Sequence, residues 1–259
     1  MIRIWICLKS VKRMKDKMKK TIALSFITLS CLYADISDNF TSMQGYTGFI
    51  NIPTADIQEY GEIDFAYSNQ VSISRSVRPD ERDEFHPSDY FVNIGLLPYI
   101  EFGGRVSDIK GGKKDLSPNI KVKLPIKKYV SDYLPELAVG FQDFGGTTGD
   151  YRSRYVVISD TVKKLQYSLG YATDSVRMDG VFYGFSYKFN KYISVLAEND
   201  TKENHVGLRL NSANLFKTSK LSFVVKRNMD YSADRYSIGL NFKFVLGDEK
   251  KYAVKKIEI

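Results

Sequence analysis

From about residue 61 to residue 246 the chain alternates apolar and polar positions with a period of two. In 180–189 the odd positions Val181, Tyr183, Phe185, Tyr187 and Phe189 are apolar or aromatic, and Gly184, Ser186 and Lys188 lie between them. In 235–244 Tyr236, Ile238, Leu240, Phe242 and Phe244 alternate with Arg235, Ser237, Gly239, Asn241 and Lys243. In 164–172 Leu165, Tyr167, Leu169 and Tyr171 alternate with Gln166, Ser168, Gly170 and Ala172. Successive strand side chains point to opposite faces, so this period predicts strands with one apolar and one polar face. Similar runs start near Gly61, Asp89, Ile100, Asn119, Glu136, Ser153, Tyr192, Asn204 and Lys220, which makes about twelve strands. Prolines fit the pattern. Pro79 and Pro87 fall in a charged loop, Pro98 in a turn, and Pro118, Pro125 and Pro135 at strand ends. None sits mid-run, where it would remove a ladder hydrogen bond.

The connections differ in length. Long polar ones are predicted at 71–88, 109–117, 145–152 and 174–180, and short ones at 97–99, 163–164 and Asn190-Lys191. The connections 127–135 and 212–219 break a strict alternation. Short turns at one end and longer loops at the other, on an even number of strands, are the pattern of outer-membrane barrels. A soluble sandwich would alternate as well. The apolar face decides between them, because its repeated Phe, Tyr, Leu, Ile and Val, with aromatics near strand ends, suit a lipid-facing band. The fold predicted is all-β, an antiparallel outer-membrane β-barrel of about twelve strands following an N-terminal signal peptide. Closure also leaves no exposed strand edges. The polar face, assigned to the lumen, carries Glu101, Arg105, Lys121, Lys123, Glu136, Arg154, Asp160, Glu198, Arg209 and Lys226. A lumen of twelve strands is narrow, since open aqueous channels typically need ~16.

Charge first suggests a different protein. The 259 residues carry a net charge of +8. Residues 1–34, however, contain eight bases and only Asp16 as an acid, leaving 30 bases against 29 acids in the rest. Both cysteines, Cys7 and Cys31, and the single tryptophan, Trp5, lie in that stretch too. From Met18 it reads as a basic pair (Lys19, Lys20), an uncharged and mostly apolar run from Thr21 to Leu32, and Ala34 before Asp35. This is the layout of a secretory signal peptide. Met18 makes the better start. The alternatives are an anchor left in place and acylation of Cys31, for which Thr28-Leu29-Ser30 is a poor lipobox. With the leader removed, the chain is nearly neutral and free of cysteine. A cysteine-ligated zinc, a disulfide framework and a thiol nucleophile are then excluded, and the near-neutral balance argues against a strongly basic nucleic-acid binder.

The organisation expected is a leader over 1–34, an N-terminal segment over 35–60, a barrel over 61–246 and a tail over 247–259. The N-terminal segment contains GYTGFINIPTA at 45–55. Gly45 and Gly48 permit tight or positive-φ backbone. Pro53 fixes its own φ and makes Ile52 extended. Asn51 and Thr54 can bond to nearby backbone, and Ala55 closes the motif. Two readings stand: a plug that enters the lumen or closes the periplasmic mouth, and an ordinary loop and cap before the first strand.

This motif, with Leu96-Leu97-Pro98-Tyr99-Ile100-Glu101 and Arg105, Asp115-Leu116-Ser117, lysines 121 and 123, Pro135-Glu136-Leu137-Ala138-Val139-Gly140, Asp143 and Tyr155-Val156-Val157, resembles the YjbH-like outer-membrane family associated with exopolysaccharide biosynthesis. The resemblance spans roughly 43–230. Members are often more than twice this length, so the chain is similar to a front portion or a compact relative. The resemblance implies an outer-membrane barrel that assists making, exporting or organising a surface exopolysaccharide, and transfers no catalytic residues. The expected partners are outer-membrane lipid and, through the resemblance, a polysaccharide and other export components. Nucleic acid is not among them, and no cofactor is expected. The second reading is a structural or small-solute barrel without a polysaccharide role.

Catalytic signals are weak. His86 reads as a solvated loop residue among acids. A hydrolase trio of Ser186 or Ser194, His205 and Asn199 follows nucleophile–base–orienter logic only by residue type. Glu136 and Glu198 are acids on strands, read as salt-bridge partners rather than a glycosidase pair. Gly111-Gly112-Lys113-Lys114 lacks the spacing and strand-to-helix context of a phosphate loop. Gly145-Gly146-Thr147-Thr148-Gly149 reads as a turn. No spacing supports a two-histidine metal site. At the other end, Phe242 or Phe244 supplies the aromatic finish of the last strand, and 247–259 follows as a periplasmic tail or as an addition to the strand or lumen.

Overall fold

The computed structural model describes residues 36–69, 88–109, 113–145, 151–173, 178–216, 218–230 and 236–246. The leader, His86, the tail 247–259, Gly111-Gly112 and the tip of the 145–149 turn lie outside the described residues.

Among the described residues twelve strands form: β1 (Glu62–Ser68), β2 (Asp89–Leu97), β3 (Ile100–Ile109), β4 (Lys113–Leu124), β5 (Glu136–Gln142), β6 (Ser153–Val162), β7 (Leu165–Thr173), β8 (Gly180–Lys188), β9 (Ile193–Asn199), β10 (Asn204–Asn211), β11 (Ser219–Asn228) and β12 (Tyr236–Val245). One short helix, α1 (Ile126–Tyr129), lies between β4 and β5. Each strand pairs antiparallel with its neighbours in sequence, and β1 closes the barrel on β12 from Glu62 opposite Val245 to Ser68 opposite Gly239. The predicted all-β barrel of twelve strands is the fold observed. No helix among the described residues is long and apolar enough to cross a membrane.

Most strand starts match the alternation, with one instructive exception. β4 begins at Lys113 rather than near Asn119, so the expected 109–117 loop is largely strand and Pro118 lies inside it. Its carbonyl accepts from Asp143 N at 2.7 Å, so its backbone nitrogen also faces the β5 side. The β4–β5 ladder begins only at Asn119 opposite Gln142. The missing N–H therefore costs nothing against β3, where Pro118 lies opposite Gly104.

Both ends of the wall, at Glu62 and Val245, share one rim with the connections 98–99, 125–135, 163–164, 189–192 and 212–218. The strand ends joined by the connections 69–88, 110–112, 143–152, 174–179, 200–203 and 229–235 lie at the opposite rim. Short turns mark the periplasmic rim of outer-membrane barrels and longer loops the external rim.

Alternation divides the wall cleanly. Phe65, Tyr90, Phe102, Phe141, Leu169, Tyr183, Phe185, Phe223, Leu240 and Phe242 point outward and are exposed. Soluble monomers rarely expose contiguous apolar patches beyond a few hundred Å², whereas this band encircles the barrel. Its solvent is lipid. The interior is filled by residues 36–58, almost all of them buried.

Candidate functional site

The segment 36–60 is a compact tangle rather than a strand. Met43 N donates to Ile50 O at 2.7 Å, Thr54 N to Thr47 O at 3.2 Å, and the Tyr46 hydroxyl to Asn51 O at 2.6 Å. Gly45 sits at φ +94°, a conformation that glycine adopts without steric cost. Gly48 is needed for space, because a Cβ there would overlap the Ile52 carbonyl oxygen. The chain turns into β1 through Gly61, at φ +83°, which donates to Gly95 O at 2.9 Å.

Burying this backbone requires partners for its polar groups, and charged wall residues supply many of them. Glu198 accepts from Ile50 N at 2.9 Å and Asn51 N at 2.6 Å. Arg209 donates to Phe49 O at 2.7 Å and Gly48 O at 3.1 Å. Glu101 accepts from Thr47 N and Gln58 N, both at 3.0 Å, and from the Thr47 hydroxyl. Lys121 donates to Thr47 O at 2.7 Å and pairs with Glu101 at 3.6 Å. Arg105 lies 3.1 Å from the centre of the Tyr151 ring and reaches Gln44 Oε1 at 3.4 Å. Motif residues Gly48, Asn51 and Thr54 thus meet Arg209, Glu198 and Lys121. Ala55 N donates to Ser159 Oγ at 2.9 Å, Pro53 O accepts from Ser168 Oγ at 2.9 Å, and Gly45 O accepts from Asn119 Nδ2.

Of the residues assigned to the lumen, Lys123, Glu136, Arg154 and Asp160 do not reach the segment. Lys123 and Glu136 pair with each other at 3.4 Å towards the rim with the 125–135 connection. Arg154 is a correction: it is exposed on the outer face of β6, and Asp160 shares that outward register, where it pairs with Lys127. The inward positions of β6 are Ser153, Tyr155, Val157 and Ser159. Here the lumen is apolar, so both faces of β6 carry apolar residues and hydrophobic alternation does not tell them apart.

That apolar half of the lumen is built from Tyr155, Val157, Ala172, Phe182 and Leu196 against Tyr46, Phe49, Ile50 and Ile52. Wall glycines provide its recesses. A Cβ on Gly184 would stand 2.7 Å from Ile52 Cδ1, and one on Gly207 2.8 Å from Ile50 Cδ1. Several further anchors escaped the sequence reading. Asp64 accepts from Thr41 N at 2.7 Å, Gln142 donates to Gln44 O at 2.6 Å, and Asn51 Nδ2 donates to Asp200 Oδ2 at 2.9 Å. Their only sequence signal is an inward register position or a place at a strand end.

The catalytic sets do not assemble. Asn199 faces outward on β9 and bonds to Asn204, whereas His205 faces inward with Nε2 3.0 Å from Asp200 Oδ2. Glu136 and Glu198 stand on β5 and β9, each with the partners described above. At the mouth that holds both ends of the wall a cavity of about 570 Å³ lies between Asp38, Tyr192, Asn214 and Lys220. Asp38 is bound there by Lys220 and lies 3.5 Å from Lys188. Burial alone would raise its carboxyl, but the two lysines outweigh burial and hold it below the ordinary value.

The sequence profile of the YjbH family, described as an exopolysaccharide biosynthesis protein, matches residues 41–224. The uncharacterized lipoprotein YjbH of Escherichia coli (strain K12) is 25% identical over 173 residues, covering 59% of this chain and 22% of that protein. The chain thus matches under a quarter of the curated relative's length. Among solved structures, the KdgM porin in complex with disordered oligogalacturonate has a TM-score of 0.46 at 11% identity, over 72% of this chain and 99% of that one. The outer membrane protein Omp33 of Acinetobacter baumannii has a TM-score of 0.40 at 12% identity, over 73% and 99%.

Proposed function

The chain belongs to the YjbH exopolysaccharide-biosynthesis family, and on that premise we propose that it is a non-enzymatic outer-membrane barrel that assists the making, export or organisation of a surface exopolysaccharide. The observation that carries this reading is the lumen, filled by residues 36–58 and tied to the wall through Glu101, Lys121, Glu198 and Arg209. A filled narrow barrel does not thread a polymer. The working surfaces are then its two rims: the external loops, and a periplasmic mouth where Tyr192, Asn214 and Lys220 can stack on and hydrogen-bond to sugars.

The region matched by the family, 41–224, takes in most of the lumen segment and the wall from β1 into β11. The basic pair and apolar run before Ala34 support export by a cleavable signal peptide. Amino-terminal sequencing of the mature protein tests that step, and lipid labelling of Cys31 would replace it with acylation.

The decisive experiment is deletion of the gene with measurement of surface polysaccharide, followed by complementation. Polymer loss restored by the wild-type chain supports the proposal. Unchanged polymer would refute it, and porin-like conductance of the purified barrel in planar bilayers would refute the closed-lumen mechanism.

A further inference from the structure

The outer wall over β2–β6 carries a feature that neither the lumen nor the proposed function uses. Gly104 is lipid-facing on β3, between Val92 on β2 and Pro118 on β4. A Cβ placed on it would meet nothing nearer than Val92 Cγ1, at 3.9 Å. The missing side chain leaves an apolar groove of about 300 Å³, bounded also by Phe102 and Leu116. Beside it a second recess of about 230 Å³ is lined by Phe141, Phe144, Arg152 and Arg154. The Phe144 ring meets Phe102 edge-on at 6.4 Å, so the two recesses adjoin across an aromatic divide.

Chemistry and depth agree. Arg152 precedes β6 and Arg154 is its second residue, so both guanidinium groups stand near the rim with the longer loops. An exposed apolar groove in lipid takes an acyl chain at little cost, because each of its walls is already solvated by hydrocarbon. Two arginines at the groove's rim supply planar donors matched to phosphate oxygens. The geometry points to a bound phosphorylated, multiply acylated glycolipid of the outer leaflet, of lipid A chemistry, with one acyl chain over Gly104 and a phosphate between Arg152 and Arg154. The site rests on the outer-membrane placement in the reading above and is independent of its polysaccharide role.

The test is native mass spectrometry of the detergent-purified full chain with bisphosphorylated lipid A, and with dioleoylphosphatidylglycerol as the competing anionic lipid. The wild type retains lipid A selectively. Replacing both arginines by alanine lowers retention roughly tenfold or more, the scale of a lost charge-assisted contact. Gly104→Leu fills the groove from outside, lowers retention similarly and leaves heat-modifiable migration on a denaturing gel intact. Equal retention of phosphatidylglycerol, or unchanged lipid A retention in either variant, overturns the site. Absence of the chain from the outer-membrane fraction is a separate outcome, which overturns the placement beneath it.

Discussion

The Glu198 carboxylate on β9 accepts the backbone N–H of Asn51 at 2.6 Å and, through its other oxygen, that of Ile50 at 2.9 Å. It thereby holds the centre of the lumen segment to the wall. Glu198→Ala leaves two buried backbone donors without an acceptor, and a buried donor left unsatisfied typically costs about 1–3 kcal/mol. The expected result is release of the segment without loss of the barrel. Protease cleavage within 45–55 and conductance in planar bilayers both rise, while heat-modifiable migration persists. Unchanged conductance and protection would show that Glu198 does not hold the segment.

Gly48→Ala tests steric closure of the same segment. The added methyl overlaps the Ile52 carbonyl, and overpacking of this kind costs about 1–3 kcal/mol. Hydrogen exchange at Phe49 and Thr54, whose amides close the loop on Ile52 and Thr47, is expected to accelerate ahead of the wall amides. Equal protection in variant and wild type would count against it.

The fit of Ile50 against Gly207 predicts a coupled pair. Gly207→Ala brings a Cβ to 2.8 Å from Ile50 Cδ1, and Ile50→Val deletes that atom. The first change alone is expected to cost about 1–3 kcal/mol and the second about 0.5–1.5 kcal/mol. Together they cost less than their sum, with a coupling of roughly 1 kcal/mol in urea unfolding. Strict additivity would mean that the two do not touch.

Asp38 adds a pH dependence at the periplasmic mouth. Its folded pKa is lowered by Lys220 and Lys188. Its contribution is therefore fully present above the unfolded value of about 3.9 and is lost as pH falls through the lower folded value. Asp38 is about a third exposed, so screening limits the effect to roughly 1 kcal/mol or less. Wild type and Asp38→Asn are expected to differ in urea midpoint at pH 6 and to converge as pH falls through the lowered folded value. A constant difference across that range would assign the loss to packing instead.

The wall was legible because its signal is local. Alternation in β8 and β12 reports which side chains meet lipid whatever the rest of the chain does. Where both faces are apolar, as along β6, the pattern loses the face, and Arg154 was assigned inward on charge alone. The β4 start at Lys113 was hidden because Pro118 reads as a terminator, although its nitrogen faces a side with no ladder partner.

The amino-acid sequence by itself determined the strand periodicity, the near-neutral and cysteine-free character of the chain after residue 34, and the glycines and proline that shape residues 45–55. It left open whether those residues cap the first strand or fill the barrel. Tertiary structure alone decided that, together with the pairing of Glu198 with Asn51 and Arg209 with Phe49. Those contacts join residues more than a hundred positions apart. They exist because a closed narrow barrel excludes water, so the buried amides and carbonyls that the segment does not satisfy within itself find their partners on the wall.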